Sequence, residues 1–210
     1  MSQMSAAVAR VATGLVLAAA MMAPPVAGRL EATMVGHVVV QIPLLAAAGW
    51  LVGRAAAPAV DRSGVADNLN RDGVAGLIVA VSASLIWMLP RSLDAALTVP
   101  LAEVAKFASV PLLIGLPLGL SWHRLPTLVR GFVWANLVSM LAVLGWLYLA
   151  SPLRLCNNYL VSQQERLGSV LLTIAVALAV FWIGHLFLPG ADLRVGPDGN
   201  RRFRWGTFGV

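Results

Sequence analysis

Charged residues are scarce in this sequence, and lysine is almost missing. Only 11% of the 210 residues are Asp, Glu, Lys or Arg, and Lys106 is the single lysine. A soluble domain has about 25% charged residues, so this chain has too few polar side chains to cover a surface that faces water. Instead, 59% of its residues are hydrophobic, and its mean hydropathy is +0.82. The composition excludes an ordinary soluble domain and predicts a protein whose outer surface faces lipid.

Cysteine and the common catalytic motifs are equally scarce. Cys156 is the only cysteine, which excludes an intramolecular disulfide and any CxxC motif. The sequence also has no HExxH zinc-protease motif, no phosphate-binding P-loop and no GxGxxG dinucleotide motif. We therefore expect this chain not to be an enzyme.

Basic residues exceed acidic ones, by 15 to 9, which gives a net charge of +6. Such an excess can indicate nucleic-acid binding, but these arginines are scattered between apolar runs rather than gathered in one patch. Anionic lipid headgroups and membrane topology account better for this distribution. We expect a lipid bilayer as the main partner, and no nucleic acid.

Six apolar runs approach the roughly 20 residues that a membrane-spanning helix needs. They cover approximately residues 9–28, 32–53, 73–90, 104–122, 131–151 and 169–188. We predict an all-α, polytopic transmembrane bundle of about six helices over residues 1–189, followed by a cytoplasmic tail over residues 190–210. The first run is either a retained helix or a cleaved signal peptide, and its length favours the retained helix.

The fourth run is the weakest of the six, because it contains Pro111, Gly115, Pro117 and Gly119. Membrane helices tolerate such residues where neighbours satisfy the freed backbone groups. The run therefore predicts a broken or kinked helix. Lys106 falls near its outer end, where we expect the ammonium group to extend to the lipid headgroups.

The distribution of basic residues between the runs predicts an orientation. With the N-terminus inside, the inner segments hold ten basic residues and the outer segments hold five. Inner segments of membrane proteins carry the excess of Lys and Arg. We therefore predict a multi-pass protein of a bacterial inner membrane, with both termini in the cytoplasm.

The second run carries a stripe of polar and sulfur-containing side chains. Glu31, Met34, His37 and Gln41 are separated by three, three and four positions, which places them on one face of a helix. This face begins at the predicted outer surface and runs about two turns inward. Ionisable side chains within a membrane are functional candidates, although a histidine there is often only hydrogen-bonded to a neighbouring helix.

Most of the soft metal ligands fall on the same predicted outer side. Met34 and His37 lie early in the second run, Met88 lies near the end of the third, and Cys156 lies between the last two runs. Thioether, thiolate and imidazole groups together favour Cu(I). The candidate metal ligands are therefore His37, Met34, Met88 and Cys156, with copper as the candidate metal. Ordinary packing is the alternative, because methionine is also a common filler of helix interfaces.

The outer segment 152–168, PLRLCNNYLVSQQERLG, is the most polar stretch on that side. Its asparagines, glutamines and Glu165 are candidates to bind a partner domain or to close over the stripe in the second run. A solvated loop is the third alternative.

Three short segments form a pattern in the same order along the chain. The first, MVGHVVVQIPLL from Met34, is similar to a second-helix motif His-Met-x-Gln-His that is followed by an apolar run with proline. His37 matches the second histidine, whereas Thr33 and Gly36 stand at the places of the first histidine and the glutamine. The second segment, IWMLP at 86–90, is similar to a Phe-Trp-Trp-Pro helix end. The third, SQQERLG at 162–168, is similar to an Asp-Gln-Gln-Leu-Gly element before a helix.

With these segments, the chain resembles a divergent member of the CtaG-type family of cytochrome c oxidase assembly factors over roughly residues 30–188. The resemblance implies a polytopic helical bundle that takes part in delivering copper to haem-copper oxidases. It also implies that His37 is the residue most directly connected with that metal.

Two main hypotheses follow. The first is an inner-membrane protein that assists copper delivery to, or the assembly of, a membrane respiratory oxidase. The second is a non-catalytic accessory subunit of a larger membrane enzyme complex. A small-solute transporter would need a polar site near the middle of the membrane, for which the fifth run offers only Asn136, Ser139 and Met140.

Overall fold

The computed structural model describes residues 2–64 and 69–187, and within them the chain is helical without a strand. The predicted tail, residues 190–210, lies outside this part. The α-helices are α1 Ser2–Met22, α2 Pro24–Glu31, α3 Ile42–Arg62, α4 Val74–Met88, α5 Pro90–Thr98, α6 Pro100–Ser109, α7 Leu116–Ser121, α8 Thr127–Ala150 and α9 Val161–Phe187. Two π-helical segments complete them: π1, Gly36–Gln41, leads into α3, and π2, Val110–Gly115, joins α6 to α7.

Within residues 2–64 and 69–187, five helical stretches are long and apolar enough to cross a membrane. They are Met4–Met22, Gly36–Arg62, Pro100–Ser121, Thr127–Ala150 and Val161–Gly184. The pair α4 and α5 supplies a sixth candidate, although the two helices bend by 72° at their junction. The prediction of an all-α bundle of about six helices is confirmed, and the chain is a multi-pass membrane protein.

Several helix boundaries differ from the sequence prediction. The first run is divided into α1 and α2, and the second span continues to Arg62 instead of ending near residue 53. The third run breaks at Leu89, whose backbone is extended, and Pro90 starts α5 in a new direction. α4 has 15 residues, about 22 Å of helix, which is shorter than the roughly 30 Å of a bilayer core. The last helix begins at Val161 rather than near residue 169, because its polar segment forms the first turns of α9 instead of a loop.

Successive spans run in opposite directions, so the bundle has two polar ends. The Asp94 end consists of α2, α5 and residues 151–160, and corresponds to the predicted outer side. The Asp61 end consists of the end of α3 and residues 121–126, and corresponds to the predicted inner side. Most of the buried apolar core, including Met34, Leu93 and Leu167, lies towards the Asp94 end.

The π-helical segments are linked to prolines. Pro43, just after π1, and Pro111, in π2, cannot donate a backbone hydrogen bond, which interrupts the regular α-helical pattern. At the end of each segment the backbone bond instead reaches back five residues, from Ile42 to His37 and from Leu116 to Pro111. The predicted break in the fourth run is therefore a π-helical segment within a continuous span. Such segments are frequent at functional sites.

Glycines bring the second and fourth spans into backbone contact. A Cβ atom on Gly49 would collide with the carbonyl of Pro111, and one on Gly115 would collide with the carbonyl of Ala46. Small residues permit this close approach of membrane helices. The contact holds π1 and α3 against α6 and π2, which sets the position of the polar residues described next.

Candidate functional site

The only lysine of the chain is buried inside the bundle. Lys106 has no exposed surface, and its ammonium nitrogen Nζ lies 2.5 Å from Glu31 Oε1, 3.1 Å from Gln41 Oε1 and 3.4 Å from His37 Nε2. An ammonium group has three N–H donors, and each has an acceptor here. The expectation that Lys106 extends to the headgroups is wrong, because these three acceptors hold it inside.

The acceptors come from the stripe in the second run, whose clustering the sequence predicted. Met34, His37 and Gln41 are completely buried. Glu31 does not continue the same straight helix, since α2 ends there and the chain bends before Met34. The bend brings Glu31 Oε1 within 2.9 Å of Gln41 Nε2. Glu31 is also the partly exposed member, with 14% of its side chain accessible, so it forms the edge of the cluster.

The hydrogen bonds determine which nitrogen of His37 carries a proton. The ammonium of Lys106 can only donate, so His37 Nε2 accepts, and the proton of the neutral ring lies on Nδ1. Nδ1 donates to the hydroxyl of Tyr159, 3.1 Å away, and that hydroxyl donates to the backbone carbonyl of Glu31 at 2.9 Å. Both ring nitrogens of His37 are therefore occupied by protein groups.

The network combines one full positive and one full negative charge. A buried ammonium is strongly unfavourable unless it is paired and hydrogen-bonded, and the carboxylate of Glu31 supplies that pairing. The helical spacing in the sequence predicts that Glu31 and His37 share one stripe, whereas no pattern in the sequence indicates Lys106 and Tyr159 as members of the site. Lys106 was recognisable only as the single lysine next to a break in an apolar run.

Residues 151–160 and the first turn of α9 close over the stripe, which is one of the three alternatives that the sequence offers for segment 152–168. Besides Tyr159, the backbone N–H of Met34 donates to Gln163 Oε1 at 3.4 Å. Gln164, 2% exposed, accepts a bond from Leu155 N and donates to the Tyr148 carbonyl. The segment is thus a structured cap on the Asp94 end rather than a solvated loop.

Asp94 attaches this cap to α5. One carboxylate oxygen accepts the backbone N–H of Asn157 at 2.7 Å, and the other accepts the backbone N–H of Asn158 at 3.3 Å. Cys156, next to them, is 1% exposed, and its Sγ atom lies 3.8 Å from the Pro90 carbonyl. Burial, assisted by the charge of Asp94, raises the pKa of the Cys156 thiol to about 12.

The four predicted metal ligands meet only in part. Met34 and Cys156 belong to the same buried apolar core as Tyr159, and Tyr159 contacts His37. Met88 ends α4 and is half-buried outside this core. Within the described residues, no three His, Cys, Asp or Glu side chains are grouped to hold a metal ion.

The arrangement as described does not suit Cu(I). The lone pair of His37 Nε2 faces the ammonium of Lys106, and a second cation at that place would be repelled. Copper binds the thiolate form of cysteine, whereas Cys156 is held as a neutral thiol by its raised pKa. Met34 remains a thioether donor beside a blocked imidazole.

A second polar cluster lies at the Asp61 end. Asp61 accepts hydrogen bonds from Arg124 Nη2 at 2.5 Å and from Arg124 Nε at 3.1 Å, and it contacts His123 Nε2 at 3.0 Å. The Asp61 and His123 side chains are about one-third exposed, at 36% and 34%. Exposed ion pairs contribute little to stability, so this cluster mainly fixes the end of α3 against residues 121–126.

Of the three residues proposed for a transport site, two do not face the inside of the bundle, and Met140 is half-buried. Asn136 and Ser139 lie on the exposed side of α8. A small groove of about 180 Å³ is lined by Thr33, Met34, Val35, Gln163 and Arg166. It is smaller than the roughly 300–1,000 Å³ of ordinary ligand sites.

Comparison with known proteins finds no matching family model, no matching curated protein and no matching solved structure.

Proposed function

We propose that this chain is a non-enzymatic accessory protein of a bacterial inner membrane that associates with a larger membrane enzyme of the respiratory-oxidase type and assists its assembly. The observation that carries the proposal is the closed Lys106–Glu31–His37–Tyr159 network. It joins the second span, the fourth span and the cap through charged groups that are already paired. Such a network stabilises a scaffold and offers no free group for catalysis.

The α8–α9 hairpin supports a role in assembly. The two helices pack mainly against each other, with Gly145 and Gly168 at their closest approach. The buried residues of α8 are near its Asp94 end, and most of its length is exposed. The hairpin is therefore accessible from within the membrane, both to lipid and to the helices of a larger complex.

The proposal includes the orientation in which both termini are cytoplasmic, which the excess of basic residues in the inner segments supports. The orientation is tested in a Cys156→Ser background by single cysteines at the two ends. A membrane-impermeant maleimide, applied to intact cells with a permeabilised outer membrane, should label Asn157→Cys but label Ser63→Cys only after lysis. The reverse pattern overturns the orientation.

Copper delivery is the second candidate, favoured by the shared core of Met34 and Cys156. It requires the ammonium of Lys106 to leave His37 Nε2 before copper arrives. Glu31 and Gln41 would remain as partners for that ammonium. In this mechanism copper is a cargo, and it passes between soft ligands without any chemistry by the chain.

One experiment separates the two candidates. The tagged chain is isolated from its own membranes in a mild detergent, and the same sample is analysed for partner proteins and for copper. The accessory role predicts stoichiometric oxidase subunits and no copper beyond that held by the oxidase itself. Recovery of the chain without any partner would contradict it.

Matched variants show whether any copper in the sample is bound through His37. Copper that is lost in His37→Ala and retained in Met88→Ala would support delivery through the buried site and replace the metal-free proposal. Equal, near-zero copper in the wild type and in His37→Ala would exclude delivery by His37. Retention of the partner subunits in both variants is expected for the accessory role.

A further inference from the structure

The groups around the Lys106 ammonium have the composition of a metal-coordination sphere. Nζ is surrounded by a carboxylate oxygen of Glu31, an amide oxygen of Gln41 and the imidazole Nε2 of His37. These donors arise from three different positions of the second run and converge on one point. They would present their lone pairs to any cation at that point.

His37 also has the outer partner that metal-binding histidines have. A histidine that ligates through Nε2 almost always donates Nδ1–H to a second group, which fixes the ring and its tautomer. Tyr159 has this role here, at 3.1 Å, and it is itself fixed by the carbonyl of Glu31. The imidazole is thus already oriented with its lone pair towards the cation position.

We propose that Glu31, Gln41 and His37 form a latent divalent-cation site of the zinc class, in which the ammonium of Lys106 is the resident cation. In the natural chain, Lys106 fills the position and repels a metal ion. When the ammonium is removed, the same three donors bind Zn²⁺ or Co²⁺. The inference does not depend on the role in assembly, and it uses none of the sulfur ligands considered for copper.

Zinc chemistry matches the site in ligand number and charge, and the imidazole of His37 and the carboxylate of Glu31 are usual zinc ligands. The amide oxygen of Gln41 is the third donor. Zn²⁺ accepts nitrogen and oxygen donors and commonly has three protein ligands plus water. Loss of the lysine side chain leaves room for that water. The charges of Lys106 and Glu31 cancel in the natural chain. Zinc-bound water has a pKa near 7, so a Zn²⁺ ion that replaced the ammonium could carry a hydroxide, and the site would again be neutral. The donors must move inward, since Zn–N and Zn–O distances are about 2.0–2.2 Å.

The test uses Co²⁺ as a spectroscopic probe on the purified full chain in detergent. Lys106→Ala should bind about one Co²⁺ per chain, with the visible bands of a four- or five-coordinate ion. The wild type and Lys106→Arg, which keep the positive charge, should show no such bands. Lys106→Ala combined with His37→Ala should lose them, whereas Lys106→Ala combined with Met88→Ala should keep them.

Stability supplies a second measurement, because Lys106→Ala leaves the largely buried carboxylate of Glu31 without its counter-charge. Zn²⁺ should raise the melting temperature of Lys106→Ala and of Lys106→Met, and leave that of the wild type unchanged. If either variant folds only when Zn²⁺ is present during expression, the proposal is supported. If folded Lys106→Ala binds no more Co²⁺ than the wild type, or neither variant folds with or without Zn²⁺, the proposal is wrong.

Discussion

Lys106 and Glu31 are 75 positions apart in the chain, and their charged atoms are 2.5 Å apart in the structure. The lysine side chain is completely buried, and the glutamate side chain is 14% exposed. The pair connects α6, at the start of the fourth span, with α2, which lies across the Asp94 end. It is the contact on which the rest of the buried network is built.

Lys106→Ala should destabilise the bundle by about 3–5 kcal/mol, the usual effect of removing one member of a buried ion pair. Glu31→Gln should be destabilising to a similar extent, because it leaves the completely buried ammonium of Lys106 without a counter-charge, although an amide oxygen can still accept from it. The combination of Lys106→Met with Glu31→Gln should recover much of the loss, since a buried pair replaced on both sides is often nearly neutral. Helicity measured during titration with denaturing detergent reports these changes.

The matched control for the buried pair is Glu103→Gln, which neutralises a half-buried carboxylate elsewhere on α6. A substitution of this kind is expected to change stability by less than about 0.5 kcal/mol. Equal effects of Lys106→Ala and Glu103→Gln would mean that the buried pair does not stabilise the bundle.

Tyr159→Phe should destabilise the cap by about 1–3 kcal/mol, the cost of leaving buried polar groups unsatisfied. The substitution keeps the ring and removes the hydroxyl, so His37 Nδ1 loses its acceptor and the Glu31 carbonyl loses its donor. Tyr148→Phe is the control, because Tyr148 is also buried but takes no part in the network. The two variants are compared by thermal unfolding in the same detergent, and a loss no larger in Tyr159→Phe would contradict the assigned hydrogen bonds.

The stripe of Glu31, Met34, His37 and Gln41 was predictable because it depends on local helical spacing. The position of Lys106 was not, because its acceptors are 65, 69 and 75 positions away along the chain. Sequence alone gives a lone lysine near a membrane surface one favourable solution, extension to the headgroups. In the folded bundle, the three acceptors provide a buried position for the ammonium instead.

The helix boundaries also depend on tertiary contacts that the sequence does not show. The apolar pattern locates the spans, but it predicts the start of α9 about eight residues too late, because the polar residues 162–166 are typical of a loop. In the structure Gln163 and Gln164 are helical and bonded to the stripe and to the cap. A polar run at a membrane surface is compatible with either state until its partners are known.

Gly115→Ala should destabilise the protein by about 1–3 kcal/mol, the range found for overpacked cores. An added Cβ would collide with the carbonyl of Ala46, and backbone atoms cannot move aside as a flexible side chain can. Gly131→Ala is the control, since a Cβ there meets nothing within 4 Å, and alanine favours a helix over glycine by about 1 kcal/mol. Unfolding in detergent should thus show a loss of stability for Gly115→Ala and a gain for Gly131→Ala. A change in the same direction for both variants would contradict the close approach of the second and fourth spans.

Asp94→Asn should release the cap and expose Cys156 without unfolding the bundle. The carboxylate accepts the backbone N–H groups of Asn157 and Asn158, and loss of a charged acceptor costs about 1.5 kcal/mol. That cost corresponds to roughly tenfold more of the open state, so the rate of maleimide labelling of Cys156 should rise about tenfold. Asp61→Asn, at the opposite end, should leave the labelling rate unchanged.

The pH dependence of Cys156 labelling checks the same contact independently. Burial and the charge of Asp94 raise the pKa of the thiol from 9.0 to about 12. Between these values the unfolded chain has lost the thiol proton and the folded chain keeps it, so stability should fall as the pH rises through this window. Asp94→Asn removes the charge, lowers the pKa and should move the rise in labelling to lower pH. Labelling of the wild type that already rises near pH 9 in the folded protein would show that the thiol is not buried under the cap.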